Sequence, residues 1–134
     1  MKCRQFDVAA DYPVLLKWWE HYNHGVLSPS ILPVTGVAVV DDAEVPLAFS
    51  WLYFTNSRCA IIDWTIANPH VPLMQRGRAI QAAIENLEAL ASTTDVAAIF
   101  GFSGYRGFTK TMLRLGYKRE GQPCDVMLKQ VKED

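Results

Sequence analysis

The clearest hydrophobic period in the chain runs through Ile80, Ala83, Ile84, Leu87, Leu90 and Ala91, with Gln81, Glu85 and Glu88 off the stripe. Spacings of three and four predict an amphipathic helix that stops at the Ser92-Thr93-Thr94 break. A second helical period joins Leu15, Trp18, Trp19 and Tyr22, and predicts a helix opened by Asp11 as N-cap with Pro13 in its first turn. Gly25, Pro29, Pro33 and Gly36 then interrupt the pattern, so this stretch reads as loop with room for one helical turn. Residues 37–40, 47–54 and 59–66 are β-branched, aromatic and apolar, and turn residues at 41–44 and 55–58 separate them. They predict three consecutive strands in an antiparallel meander.

The ends of the chain are simpler. KCRQFD at the start predicts a short strand, and VAAIFGF after the long helix predicts a buried one. Its strand–helix–strand setting favours parallel or splayed pairing with the meander's last strand. Phe108, Met112 and Leu115 predict a shorter helix ended by Gly116, and residues 117–120 and 125–131 a terminal hairpin. The order β–α–loop–β–β–β–α–β–α–β–β is that of a mixed α/β (α+β) protein, a single domain over residues 1–134.

Composition narrows the function classes. A chain of 134 residues that is 50% hydrophobic suits one domain with its own core. A net charge of −1 and an isoelectric point near 6.3 argue against a general nucleic-acid or anionic-membrane binder, though not against a locally basic cleft. Cys3, Cys59 and Cys124 are widely spaced, with neither CxxC nor Cys/His ligand spacing, which argues against a disulfide framework and a zinc site. The first residues lack an apolar signal region, and no apolar run approaches the ~20 residues that span a bilayer. The expectation is a soluble, cytoplasmic protein with no metal.

The candidate chemistry lies between Cys59 and Ser92. There the apolar strand CAIIDWTIANP leads through MQRGRA into the long helix. A helix start offers free N–H groups and the positive end of the dipole, which together hold a phosphate. Gly77 lets a ligand approach the backbone, while Arg76 and Arg78 add charge-assisted donors suited to a diphosphate. Cations at a helix start oppose the dipole unless an anion sits there, a conflict of local rules typical of functional sites.

This element order, with RGRAI opening the long helix and a later LRLGYK, resembles the GCN5-related N-acetyltransferases. LPVTG before the second strand and NP after the fourth look like small acetyltransferases often carried by bacteriophages. The resemblance implies a mostly antiparallel sheet with splayed central strands, helices on both faces and acetyl-CoA (coenzyme A) as cofactor. It implies that the backbone of Trp64, Thr65, Ile66 and Ala67 meets the pantetheine arm, with Asn68-Pro69 ending the strand. The loop of Met74, Gln75, Arg76, Gly77, Arg78 and Ala79 would grip the pyrophosphate. The family pattern R/Q-x-x-G-x-G/A fits this loop incompletely in two registers. One takes Gly77 as the first glycine; the other starts from Arg76. Counting back from Leu115-Gly116-Tyr117, the family's general-acid tyrosine falls on Met112 and its strand-end Asn on Tyr105, with Ser103 nearby.

Individual residues carry two readings each. Asp63 is the acidic residue inside an apolar strand, hence either a general base for the acceptor ammonium or a buried, hydrogen-bonded structural carboxylate. Tyr105 is the candidate acid, and Ser103 a cofactor contact. Trp18, Trp19 and Tyr22, with His21 and His24 at the helix exit, fall where the resembling family walls its acceptor pocket. The alternative puts the tryptophans in the core and the histidines at the surface. FSGYRG lacks the G-x-S-x-G of a hydrolase elbow. The expected activity is acetyl transfer from acetyl-CoA to a primary amine in a ternary complex. The rivals are a non-catalytic structural or interaction protein of the same fold and an acyl-CoA-binding module. The acceptor's identity stays open, as does the choice of monomer or homodimer.

Overall fold

The computed structural model describes residues 1–121 and 125–132. Strands β1 (Lys2–Gln5), β2 (Gly36–Val40), β3 (Pro46–Phe54), β4 (Cys59–Ala67) and β5 (Ala98–Gly101) form one sheet in chain order. The first three pairings are antiparallel and β4·β5 is parallel. Helix α1 (Val8–His21) connects β1 to a 3-10 turn at Pro29–Ile31, α2 (Leu73–Ser92) carries the crossover from β4 to β5, and α3 (Arg106–Arg114) follows. Among the described residues no helix is long and apolar enough to cross a membrane.

Alternation along the strands builds two cores. Val37, Val39, Leu52, Ala60 and Ile62 pack beneath Ala79, Ala83, Ile84 and Leu87 of α2 and Phe108 and Met112 of α3. Ala38, Val40, Phe49, Trp51 and Ile66 face Leu15, Trp18 and Trp19 of α1. β2 is therefore buried at all five positions, as a strand covered on both faces must be.

The predicted helix starts and strand ends need correction in four places. Asp7, not Asp11, caps α1 by accepting the Ala9 N–H. Asp11 lies one turn inside, 1% exposed, where it takes both Arg4 guanidinium nitrogens (2.7 and 2.8 Å) and the Asp7 N–H (2.8 Å). Pro13 consequently lies in the helix interior. β5 is a mostly exposed edge strand, with Phe100 at 55%, because the sheet ends there among the described residues. The terminal hairpin is absent from the described residues, and its turn falls partly on residues outside them. Val126, Met127 and Leu128 are consecutive rather than alternating, the wrong pattern for a half-buried strand. Instead Leu128, Lys129 and Gln130 line a cavity of about 300 Å³ with Val26, Leu27, Ser28 and Ile31.

Gly116 meets its expectation. It sits at φ +95 and passes its N–H to Leu113, while Tyr117 reaches Met112, which closes α3 in a Schellman motif.

Candidate functional site

β4 changes character halfway along. Trp51 pairs with Asp63 and Phe49 with Ile66, so Ser50 alone faces both Trp64 and Thr65, which makes a β-bulge. Trp64 takes the left-handed conformation at φ 60, which costs a non-glycine residue on the order of 1–3 kcal/mol. Three bonds hold it there. Asp63 accepts the Trp64 N–H (2.8 Å), the Trp64 indole N–H donates to the Tyr53 hydroxyl (2.7 Å), and the Ser50 and Thr65 hydroxyls pair at 2.7 Å. The extra residue puts Asp63 and Trp64 in succession on the α1 face, because Asp63 shares the face of its partner Trp51. Burial pushes the Asp63 carboxyl above the usual carboxylate range, against the pull of the Trp64 N–H and of His24.

Past the bulge, β4 loses its neighbour. β5 pairs with it from Cys59↔Ala98 to Ile62↔Gly101 and ends there. The β5-facing backbone edge of Asp63, Trp64, Thr65, Ile66 and Ala67 thus has no strand partner among the described residues. Met112 sits over the end of β5: a Cβ on Gly101 would lie 2.5 Å from its Cε. The position aligned with a general-acid tyrosine is therefore a buried thioether packed at the point where the strands part.

At the far end of β4 the Tyr22 hydroxyl donates to the Ala67 carbonyl (2.9 Å), and burial pushes the Tyr22 phenol above its ordinary pKa against the pull of the Arg76 charge. Tyr105 is 60% exposed at the start of α3. The Ser103 hydroxyl is engaged locally, with Tyr105 O at 2.9 Å and Thr109 Oγ1 at 2.7 Å. Tyr22, on the Ala67 carbonyl, and Arg76, on the Pro69 carbonyl, thus meet the end of β4, whereas Ser103 serves the α3 turn.

The MQRGRA segment is not a loop ahead of the helix. It forms the first turns of α2, which begins at Leu73 behind Pro72. Pro72 as the N-cap, with φ fixed at −57 and ψ at 148, starts the helix earlier than the apolar stripe suggests. No side chain caps this end and no acidic residue lies in the first turn. Arg76 N–H returns to Pro72 O, so the open donors are those of Leu73, Met74 and Gln75. Gly77 is helical, and a Cβ on it would meet nothing within 4 Å. The Arg76 guanidinium donates to Val71 O (2.8 Å) and Pro69 O (2.6 Å), which makes it a clamp on its own loop. Arg78 is exposed and Ala79 is fully buried against the sheet.

The acceptor-side expectations divide. Trp18 (4% exposed) stacks on Phe49 at 4.7 Å, and Trp19 is 1% exposed, so both belong to the core. Two other residues line the site: Tyr53, which the sequence did not single out, and His24, expected at this wall. Tyr53 anchors the bulge, and His24 lies between Trp19 and Trp64, with ring centroids at 6.0 and 5.8 Å. The sequence feature that fixes His24 at the helix end is the preceding Asn23, a residue suited to left-handed helix ends.

No family model and no curated protein matches the sequence. Solved structures do match its fold. The glucosamine-6-phosphate N-acetyltransferase of Arabidopsis thaliana superposes with a TM-score of 0.69 at 6% identity, over 96% of this chain and 98% of that one. Rv2747 of Mycobacterium tuberculosis, solved in complex with CoA and NLQ, gives 0.68 at 15% identity, over 93% and 76%. The ribosomal-protein-alanine N-acetyltransferase of Brucella melitensis biovar Abortus 2308 gives 0.65 at 10% identity, over 96% and 100%. At these identities the likeness is one of architecture: the chain has the GCN5-related N-acetyltransferase fold.

Proposed function

We propose that the protein is an N-acetyltransferase that binds acetyl-CoA along the unpaired half of β4 and moves its acetyl group to a primary amine. The observation that carries this reading is the conjunction of the Trp64 bulge, the parting of β4 from β5 at Ile62/Gly101, and the uncapped α2 start beside them. The donor set fits the cofactor. The backbone of Trp64, Thr65 and Ile66 can bond an amide-rich arm as a further strand would. The N–H groups of Leu73, Met74 and Gln75, with Arg78 alongside, suit a diphosphate, and no carboxylate in the first turn opposes it. When bound, acetyl-CoA supplies an activated thioester. The chain's own residues would then orient the amine: Asp63 offers a carboxylate for its ammonium, beside the indole of Trp64 and the phenol of Tyr53. Ordering the amine in this cleft removes much of the entropic cost of bringing it to the acetyl group.

Proton delivery to the leaving thiol falls to Tyr105 or water, since Met112 has no proton to give. The same Met112 favours a second reading, an acyl-CoA-binding protein without transfer. Incubation with acetyl-CoA and a panel of primary amines, read by free-thiol release and by the mass of acetylated products, separates the two. Amine-dependent thiol release supports the enzyme. Cofactor binding without transfer across the panel supports the binding protein.

A further inference from the structure

α1 ends in a Schellman motif that fixes one imidazole. Asn23 sits at φ 54, its N–H reaches Glu20 O (3.2 Å), and the His24 N–H reaches Trp19 O (2.8 Å). In this ending the residue after the left-handed one packs on the residue five before it. Here His24 stacks on Trp19 at 6.0 Å and 17°. Trp19 is 1% exposed, so the imidazole rests on a fixed surface while His24 stays open to solvent.

The ring's two nitrogens are then distinct. Nδ1 lies 2.8 Å from the Gly25 carbonyl oxygen. A carbonyl only accepts, so the neutral ring keeps its proton on Nδ1 and leaves the Nε2 lone pair free. The ring meets Trp64 edge-on at 5.8 Å, and when protonated it favours the ionised form of Asp63, with no ion pair between the two among the described residues. Asp63 of β4 is the titratable group its charge reaches, and the Trp64 indole it meets is bonded in turn to Tyr53 of β3. His21 turns away to Tyr22 and His70, at 5.1 and 5.7 Å.

We infer that His24 Nε2 takes the proton from the acceptor ammonium, and that Asp63 holds the resulting imidazolium and is not itself the base. This role rests on the acetyltransferase reading. One ammonium N–H bond breaks, and its electron pair stays on nitrogen for attack on the thioester carbonyl. The proton bonds to Nε2 and later passes to solvent. A second nitrogen proton leaves with the coenzyme thiol as the carbon–sulfur bond breaks, and the third stays on the amide.

The test has two readouts. Histidine nitrogen spectra of the protein without ligand are expected to show neutral His24 as the Nδ1–H tautomer. Asp63→Asn should keep that tautomer and the acetyl-CoA affinity but lower kcat/KM, since the imidazolium then loses its counter-charge. The second readout is the pH profile of kcat/KM with acetyl-CoA and whichever primary amine of the panel turns over fastest. His24→Phe keeps a ring on Trp19 and is expected to hold the wild-type Tm and acetyl-CoA affinity. It should lose the acid-limb inflection and about a hundredfold or more in kcat/KM, the typical worth of a positioned base. The opposite tautomer, an undiminished kcat/KM in Asp63→Asn, or an acid limb that persists in His24→Phe overturns the inference. Failure of the wild-type chain to bind acetyl-CoA overturns the acetyltransferase reading and this role with it, whereas binding and transfer with an unchanged profile overturn only the role.

Discussion

The two halves of β4 share one strand and differ in almost everything else. From Cys59 to Ile62 it is paired on both edges, and its inward residues Ala60 and Ile62 are fully buried. From Asp63 onward it is bulged, paired on one edge only, and lined by a carboxylate, an indole and a pair of hydroxyls. The first half contributes stability through ordinary burial. The second half spends some of that stability on a strained Trp64 and a half-buried Asp63, and gains unpaired backbone next to an uncapped helix. A site of this kind is made by withholding a strand partner from a rigid sheet, so its precision comes from the half that does no chemistry.

Substitutions should separate the halves in order of effect. Ile62→Ala empties a fully buried position and should cost about 2–5 kcal/mol in urea unfolding, with the cofactor affinity of the folded fraction unchanged. Arg76→Ala removes two bonds to loop carbonyls, each worth about 0.5–1.5 kcal/mol, and should lower stability without the salt dependence of a lost phosphate contact. Arg78→Glu leaves unfolding unchanged but should weaken acetyl-CoA binding about tenfold, an effect that shrinks as salt rises.

The smallest effect belongs to Asp63→Asn and appears only with pH. Burial raises the folded-state pKa of Asp63, so its contribution is most favourable below the unfolded carboxylate pKa. That contribution is lost as pH climbs through the raised folded value. Stability curves of wild type and Asp63→Asn should therefore converge at low pH, and the wild type should fall relative to the variant as the pH rises through that window. Parallel curves would mean that the second half of β4 does not strain its carboxylate.

The sequence made the first half legible and concealed the second. The meander's turns, β-branched runs and Gly116 all follow local rules, and local structure obeyed them. Asp63 stood out as the acidic residue of an apolar strand, but the bulge itself left no mark, because only the register against Trp51 and Phe49 reveals the extra residue. Asp11 matched the N-cap rule as well as Asp7 did, and the Arg4 pairing that draws it inside is a contact between β1 and α1. The arginine clamp escaped notice for the same reason, since nothing in MQRGRA tells a guanidinium bound to Pro69 and Val71 from one awaiting phosphate. Trp18 and Trp19 answered to size and apolarity, and the core took them. His24, the residue left over at the helix end, became the accessible one.

The central claim, that the unpaired half of β4 and the α2 start form one cofactor site, is tested most directly by calorimetric titration of the wild-type chain and Arg78→Glu with acetyl-CoA. The account predicts one-to-one binding that weakens about tenfold, or about 1.4 kcal/mol, in the variant. No heat of binding at cofactor concentrations on the order of millimolar, or equal affinity in the two proteins, would contradict it.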